Sequence, residues 1–207
     1  MSRTIELPKQ WRDADLRADT FNEDDYTMDV CWTTGSTGRR MSWVDGPYDE
    51  ELIVSGNAVR LGRLNAGAPL LNAHSDYSCN DVIGAVVPGT ARIAGSEGLA
   101  KVQLSRAAGD ADIVQKIRDR IIRNTSVGYV RHQIEKVEKE GAVPLWRVVD
   151  WEPYELSAVP MGFDAGAQFR SASTKDKDLF ACIVRGSALA EAARARLRMR
   201  SRRMAAG

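Results

Sequence analysis

Three short patches each carry one member of a Ser–His–carboxylate set. His74 lies in Leu70-Leu71-Asn72-Ala73-His74-Ser75, Ser126 in Asn124-Thr125-Ser126-Val127-Gly128-Tyr129, and Glu155 in Tyr154-Glu155-Leu156-Ser157-Ala158-Val159-Pro160. A serine hydroxyl is a weak nucleophile at neutral pH and needs a base within hydrogen-bond reach. A neutral imidazole suits that task, and a carboxylate on its far nitrogen fixes the tautomer and stabilises the imidazolium. The chain has only two histidines. His74 follows an apolar run, whereas His132, between Arg131 and Gln133, reads as solvent-facing. The three residues are far apart in sequence, so only the fold can bring them together.

Each has a plainer reading. A histidine after an apolar run commonly bonds to backbone, a serine before Val-Gly-Tyr commonly starts a strand, and Glu155 could pair across a sheet. Asp150, Glu152 and Asp76 compete with Glu155 for the third role. Cys79 follows His74 closely enough to suggest a Cys–His dyad, but nothing near it in the sequence would activate the thiol. Other chemistries fare worse. No Cys/His cluster has zinc-ligand spacing, and neither a phosphate-binding Gly-rich loop nor a Gly-x-Ser-x-Gly elbow is present. No metal and no organic cofactor is expected.

The elements that would hold these residues read as β structure. Short apolar runs punctuated by Gly, Asn, Asp and Pro predict strands at Asp29–Thr33, Glu51–Val54, Val82–Val87, Leu99–Leu104, Ser126–Val130, Leu145–Trp151 and Glu155–Val159. Ala100, Val102 and Leu104 alternate with Lys101, Gln103 and Ser105, the pattern of a half-buried strand. Ile113, Val114, Ile117, Ile121 and Ile122 recur at helical spacing. Asp110 is the expected N-cap and Asn124 the expected stop, so this helix should deliver the chain directly into Ser126.

At 207 residues with 43% apolar content, the chain suits one domain with tails. Residues 1–25 read as a polar leader or propeptide, 26–170 as the main domain, and 171–207 as a linker and basic tail. Within that tail Ser187 is the expected cap of an Ala/Arg helix bearing Arg194, Arg196, Arg198, Arg200, Arg202 and Arg203. Net charge is +1, so the whole chain is no polyanion binder; nucleic acid is expected to bind only weakly, through the tail. No apolar run is long enough for a membrane span and the start lacks a signal-peptide stretch. Three widely spaced cysteines suggest no disulfide framework and a reducing, cytosolic setting.

Taken together, the three patches resemble a known family. Ala68-Pro69-Leu70-Leu71-Asn72-Ala73-His74 with Asp81-Val82-Ile83-Gly84 is similar to the histidine region of the tailed-phage prohead serine proteases. The helix leading to Ser126-Val127-Gly128-Tyr129 resembles their nucleophile region, and Trp151 to Pro160 their third block, where a carboxylate precedes Leu/Ile-Ser-x-Val-Pro. The resemblance covers roughly residues 50 to 170. It implies a mainly β fold with flanking helices (α+β), a closed or nearly closed β-barrel like the herpesvirus assemblins. It further implies a serine endopeptidase inside the immature capsid (prohead) in the host cytoplasm, cutting scaffold protein, the major capsid protein and often itself. Self-association follows too, because the related assemblins gain activity on dimerising. On this reading Ser126 is the nucleophile, His74 the base and Glu155 the third member. Backbone amides near Ser126 or in the 160–167 turn are the expected oxyanion donors. The rival expectation is a non-enzymatic capsid assembly or core scaffold protein that keeps the protease fold.

Overall fold

A computed structural model describes residues 2–42, 45–138, 141–161 and 179–186. Twelve strands follow one another in the order β1 (Ser2–Pro8), β2 (Gln10–Asn22), β3 (Thr27–Thr33), β4 (Gly38–Ser42), β5 (Gly46–Leu52), β6 (Pro69–Asn72), β7 (Val82–Val86), β8 (Arg92–Ala94), β9 (Glu97–Leu104), β10 (Asn124–Val137), β11 (Leu145–Val159) and β12 (Leu179–Gly186). Helix α1 (Gly62–Asn65) precedes β6, and α2 (Ala111–Arg118) precedes β10. Among the described residues no helix is long and apolar enough to cross a membrane.

All twelve strands belong to one sheet, ordered β1-β12-β10-β2-β3-β9-β7-β6-β11-β5-β4, with β8 on β9 and a further pairing of β10 with β11. The protein is therefore mainly β, as expected, but the sheet as a whole is not closed. The β10–β11 pairing links β10, β2, β3, β9, β7, β6 and β11 in a ring, while β1 with β12 and β5 with β4 lie outside it and end the path. The reason lies in the two longest strands, which each change partner along their length. Residues Asn124–Tyr129 of β10 pair with β2, whereas Gln133–Lys136 pair with β12. Likewise Leu145–Val148 of β11 pair with β5 and Leu156–Ala158 with β6. The far halves of both strands thus recruit β12 with β1, and β5 with β4, as outer strands with open edges. Nor is the sheet ringed by helices: α1 and α2 are the only α-helices among the described residues.

The polar start of the chain, read from sequence as a leader, supplies β1 and β2, and β2 runs beside β10 throughout Asn124–Tyr129. Residues 179–186, read as part of the tail, form β12, which buries Cys182 and Val184. The rest of that tail, residues 171–178 and 187–207 with the Ala/Arg helix, lies outside the described residues, as do 162–167 of the expected oxyanion turn.

The predicted strand at β9 has Ala100, Val102 and Leu104 buried. The two strands predicted at Leu145–Trp151 and Glu155–Val159 are one continuous β11. Helix α2 presents Val114 and Ile117 to the core, as its periodicity implies, but it is shorter than predicted. Asp110 occupies the cap position without a side-chain hydrogen bond. The chain turns at Arg120, whose φ is 60°, and the amides of Ile121 and Ile122 close back on the Lys116 carbonyl. Ile121 is left exposed, and Asn124 begins β10 rather than ending the helix. Three tryptophans, Trp32, Trp146 and Trp151, are fully buried with Tyr129 and Leu156. Each large apolar side chain removed from water contributes about 1.5–3 kcal/mol, so this core gives the sheet its rigidity.

Candidate functional site

Strand β6 runs parallel to β11, with Leu71 beside Ser157 and Asn72 beside Ala158. The chain leaves β6 abruptly. Ala73 and His74 have φ of 50° and 63°, the left-handed region, unusual for side chains bearing Cβ. Two contacts to β11 hold this turn: the Ala73 amide donates to the Ala158 carbonyl at 2.9 Å, and the His74 amide donates to Ser157 Oγ at 3.2 Å.

Nδ1 of His74 lies 2.9 Å from Oε1 of Glu155, and the Ser157 hydroxyl donates to the other carboxylate oxygen, Oε2, at 2.6 Å. A carboxylate only accepts, so Nδ1 is the donor in this contact, and in a neutral ring the lone pair is then on Nε2. Nε2 has no hydrogen-bond partner among the described residues. Glu155 is buried, while the His74 side chain keeps 21% of its surface exposed. One end of the pair is thus fixed by the core and the other faces solvent.

The register puts Ser126 into the same neighbourhood. In the antiparallel β10–β11 pair Ser126 stands opposite Ser157 and Gly128 opposite Glu155; on the other side Asp13 and Trp11 of β2 take the matching positions. Directly opposed residues point to one face, so Ser126, Ser157, Gly128, Glu155 and Trp11 share it. The Trp11 ring packs against His74 with centroids 5.4 Å apart. Gly128 is there for space. A Cβ at this position would overlap Oε1 of Glu155 and come within 2.7 and 2.8 Å of the Tyr154 ring carbon and hydroxyl.

The three predicted residues therefore converge, but unequally. His74 and Glu155 are in contact. Ser126 is only 1% exposed and its hydroxyl makes no hydrogen bond to His74. An open cleft of about 960 Å³ lies against the pair, lined by Trp11, Leu71, His74, Tyr77, Tyr154 and Glu155 among others, and neither Ser126 nor Ser157 lines it.

The competitors separate by geometry. Asp150 is engaged by Arg60 at 2.6 and 2.7 Å, and Glu152 lies 3.5 Å from His132 Nε2. His132, expected to face solvent, is half-buried by that contact. Asp76 and Cys79 line the cleft wall without bonding His74. Among the described residues no three His, Cys, Asp or Glu side chains group as metal ligands. Ser157, Gly128 and Trp11 were not singled out by sequence reasoning. Ser157 was the most accessible of these, being two residues from Glu155 and so on the same face of a strand.

A second polar cluster was also missed. Glu50, fully buried, takes Arg131 at 2.8 Å, Arg12 at 3.1 Å, Arg40 at 3.4 Å and the Tyr129 hydroxyl at 2.5 Å. Arg131 also donates to the Tyr48 hydroxyl at 3.1 Å. Burial pushes the Glu50 carboxyl up, but the three guanidiniums outweigh it and hold the group well below the usual carboxylate range. Burial also pushes the Tyr48 hydroxyl up to about 12, so it stays protonated. This cluster touches the site through Arg40, which donates to the Trp11 carbonyl at 2.5 Å.

Over 119 residues the chain is 30% identical to a major capsid protein of Halomonas phage phiHAP-1. The match relates this chain to the phage capsid. It takes in 56% of the chain but 19% of the capsid protein, so the matched segment is about a fifth of the relative's length. No family model matches the chain, and no solved structure does.

Proposed function

We propose that this protein acts in building the phage capsid, and that its polar site makes it a serine endopeptidase of capsid maturation. The carrying observation is the His74–Glu155 contact at 2.9 Å, set on the same sheet face as Ser126. In this mechanism Ser126 attacks the scissile carbonyl and His74 Nε2 takes its proton, then returns it to the leaving amine. Glu155 holds the ring and stabilises the imidazolium, and water releases the acyl-enzyme. This mechanism requires a rearrangement that brings Nε2 and the Ser126 hydroxyl together, since they are not bonded at rest. The scaffold protein and the major capsid protein are the proposed substrates, met within the prohead in the host cytoplasm.

A second reading is a capsid assembly protein without peptidase activity. Two observations favour it: the relative's name is that of a capsid component, and Ser126 is buried away from the cleft. The comparison with the capsid protein stands nearer to this reading than to the first.

The deciding experiment is mass spectrometry of the wild type and Ser126→Ala, each co-expressed with the phage's scaffold and major capsid protein. Defined truncation of those partners with the wild type alone supports the peptidase. Removing the nucleophile should lower turnover by roughly four to six orders of magnitude. Identical masses with normal particles would establish the assembly reading instead.

A further inference from the structure

We infer that Ser157 is a positioning residue of this site, a clamp that couples the His74 backbone to the Glu155 carboxylate. The inference rests on the peptidase reading for its kinetic consequence, but its geometry stands independently. One hydroxyl does two things: it donates to Glu155 Oε2 at 2.6 Å and accepts the His74 amide at 3.2 Å. With the Nδ1–Oε1 contact at 2.9 Å, these bonds close a ring that fixes the imidazole at both its backbone and its side chain. Ser157 is fully buried, so neither bond competes with water. The turn it pins is one that needs pinning, because Ala73 and His74 are both left-handed without being glycine. By holding Oε2, Ser157 also turns Oε1 toward the ring, so the Nδ1–H tautomer that the carboxylate imposes depends on Ser157 through the carboxylate's orientation. Ser157 touches neither substrate nor reacting atoms in this arrangement, and acts through His74.

The test uses the full chain as wild type, Ser157→Ala and Ser157→Thr. Two readouts are taken: 15N NMR of the histidine ring nitrogens, which reports the tautomer, and turnover of the capsid-protein precursor. His132→Gln identifies the His74 signals. Ser157→Ala should lose the Nδ1–H tautomer preference and lower kcat by about 10- to 100-fold with KM within about twofold. Ser157→Thr, which keeps the hydroxyl, should restore both. A wild-type tautomer ratio in Ser157→Ala overturns the inference, and so does an equal loss in the alanine and threonine variants, which would mark a packing role alone. If the wild type cleaves nothing, the peptidase reading falls. The tautomer comparison then still decides Ser157, supporting the clamp if the ratio shifts and ending it if the ratio does not.

Discussion

Among the described residues two glutamates are buried in this sheet, and they are held in opposite ways. Glu50 on β5 meets three guanidiniums, and two tyrosine hydroxyls lie close by; all but the half-buried Arg40 are inside the core. Glu155 on β11 meets one imidazole and one serine hydroxyl, at the wall of an open cleft. The first arrangement over-neutralises its carboxylate and joins β2, β4, β5 and β10 into one unit. Its partners permit no useful proton movement, because arginine does not deprotonate at accessible pH. The second pairs a carboxylate with the side chain that changes charge most readily near neutrality. Burial alone therefore does not mark a working residue; the titration range of the partners does.

Substituting each glutamate by glutamine should split the two roles. Glu155→Gln should lower turnover by roughly three to four orders of magnitude, because an amide can donate to Nδ1 and select the wrong tautomer. Its unfolding free energy should stay within about 1–2 kcal/mol of the wild type. Glu50→Gln should do the reverse. It leaves three guanidiniums without their anion, at a cost of about 3–5 kcal/mol in urea unfolding, while folded protein below its melting point keeps most of its activity. If Glu50→Gln were stable and inactive, the comparison would fail and the cluster would belong to the site.

The residues of the candidate site were easier to single out in the sequence than the scaffold around them. His74, Ser126 and Glu155 stand out because each is a chemically capable residue in an apolar context. Their competitors Asp150 and Glu152 were separated only by contacts with Arg60 and His132 that no spacing reveals. The alternation in β9 was legible because one face is apolar and the other polar. The start of the chain was not, since Arg12 is buried by a carboxylate 38 residues away, and a buried ion cluster inverts the usual hydrophobic signal. The clue to Glu50 is its register with Tyr48 and Leu52, all three facing inward on β5. The outer strands with their free edges escaped prediction because they depend on which half of β10 and β11 finds which partner. That is a matter of long-range pairing, not of local pattern. The early stop of α2 at Arg118 is likewise set by Arg120 turning left-handed, a conformation no arginine announces.

Gly128→Ala offers a finer cut through the same comparison. The added methyl would strike Glu155 Oε1 and the Tyr154 ring, so the carboxylate must withdraw from His74. Overpacking of this kind typically costs about 1–3 kcal/mol. Activity should fall further than the stability loss explains, yet less than in Glu155→Gln, since the carboxylate survives. Equal kcat for Gly128→Ala and the wild type, measured on the folded fraction, would show that the His74–Glu155 distance is not important.

The smallest effect concerns acid stability, and its sign follows from how Glu50 is held. Its folded-state pKa is depressed, so the stabilisation it brings is fully present above the unfolded value near 4.3 and is lost as pH falls through the folded value. Unfolding free energy of the wild type should therefore be level through neutral pH and decline below about pH 4, by at most about 1.4 kcal/mol per pH unit from this group. Other carboxylates add their own slopes, so the informative quantity is the difference between wild type and Glu50→Gln. That difference should shrink as pH drops below about 4, because the unfolded wild type takes up a proton on this carboxyl that the folded state does not, and the glutamine variant has no such group. A gap that stays constant to pH 2.5 would mean that Glu50 has the same pKa folded and unfolded. The arginine cluster would then be held by something other than its charge.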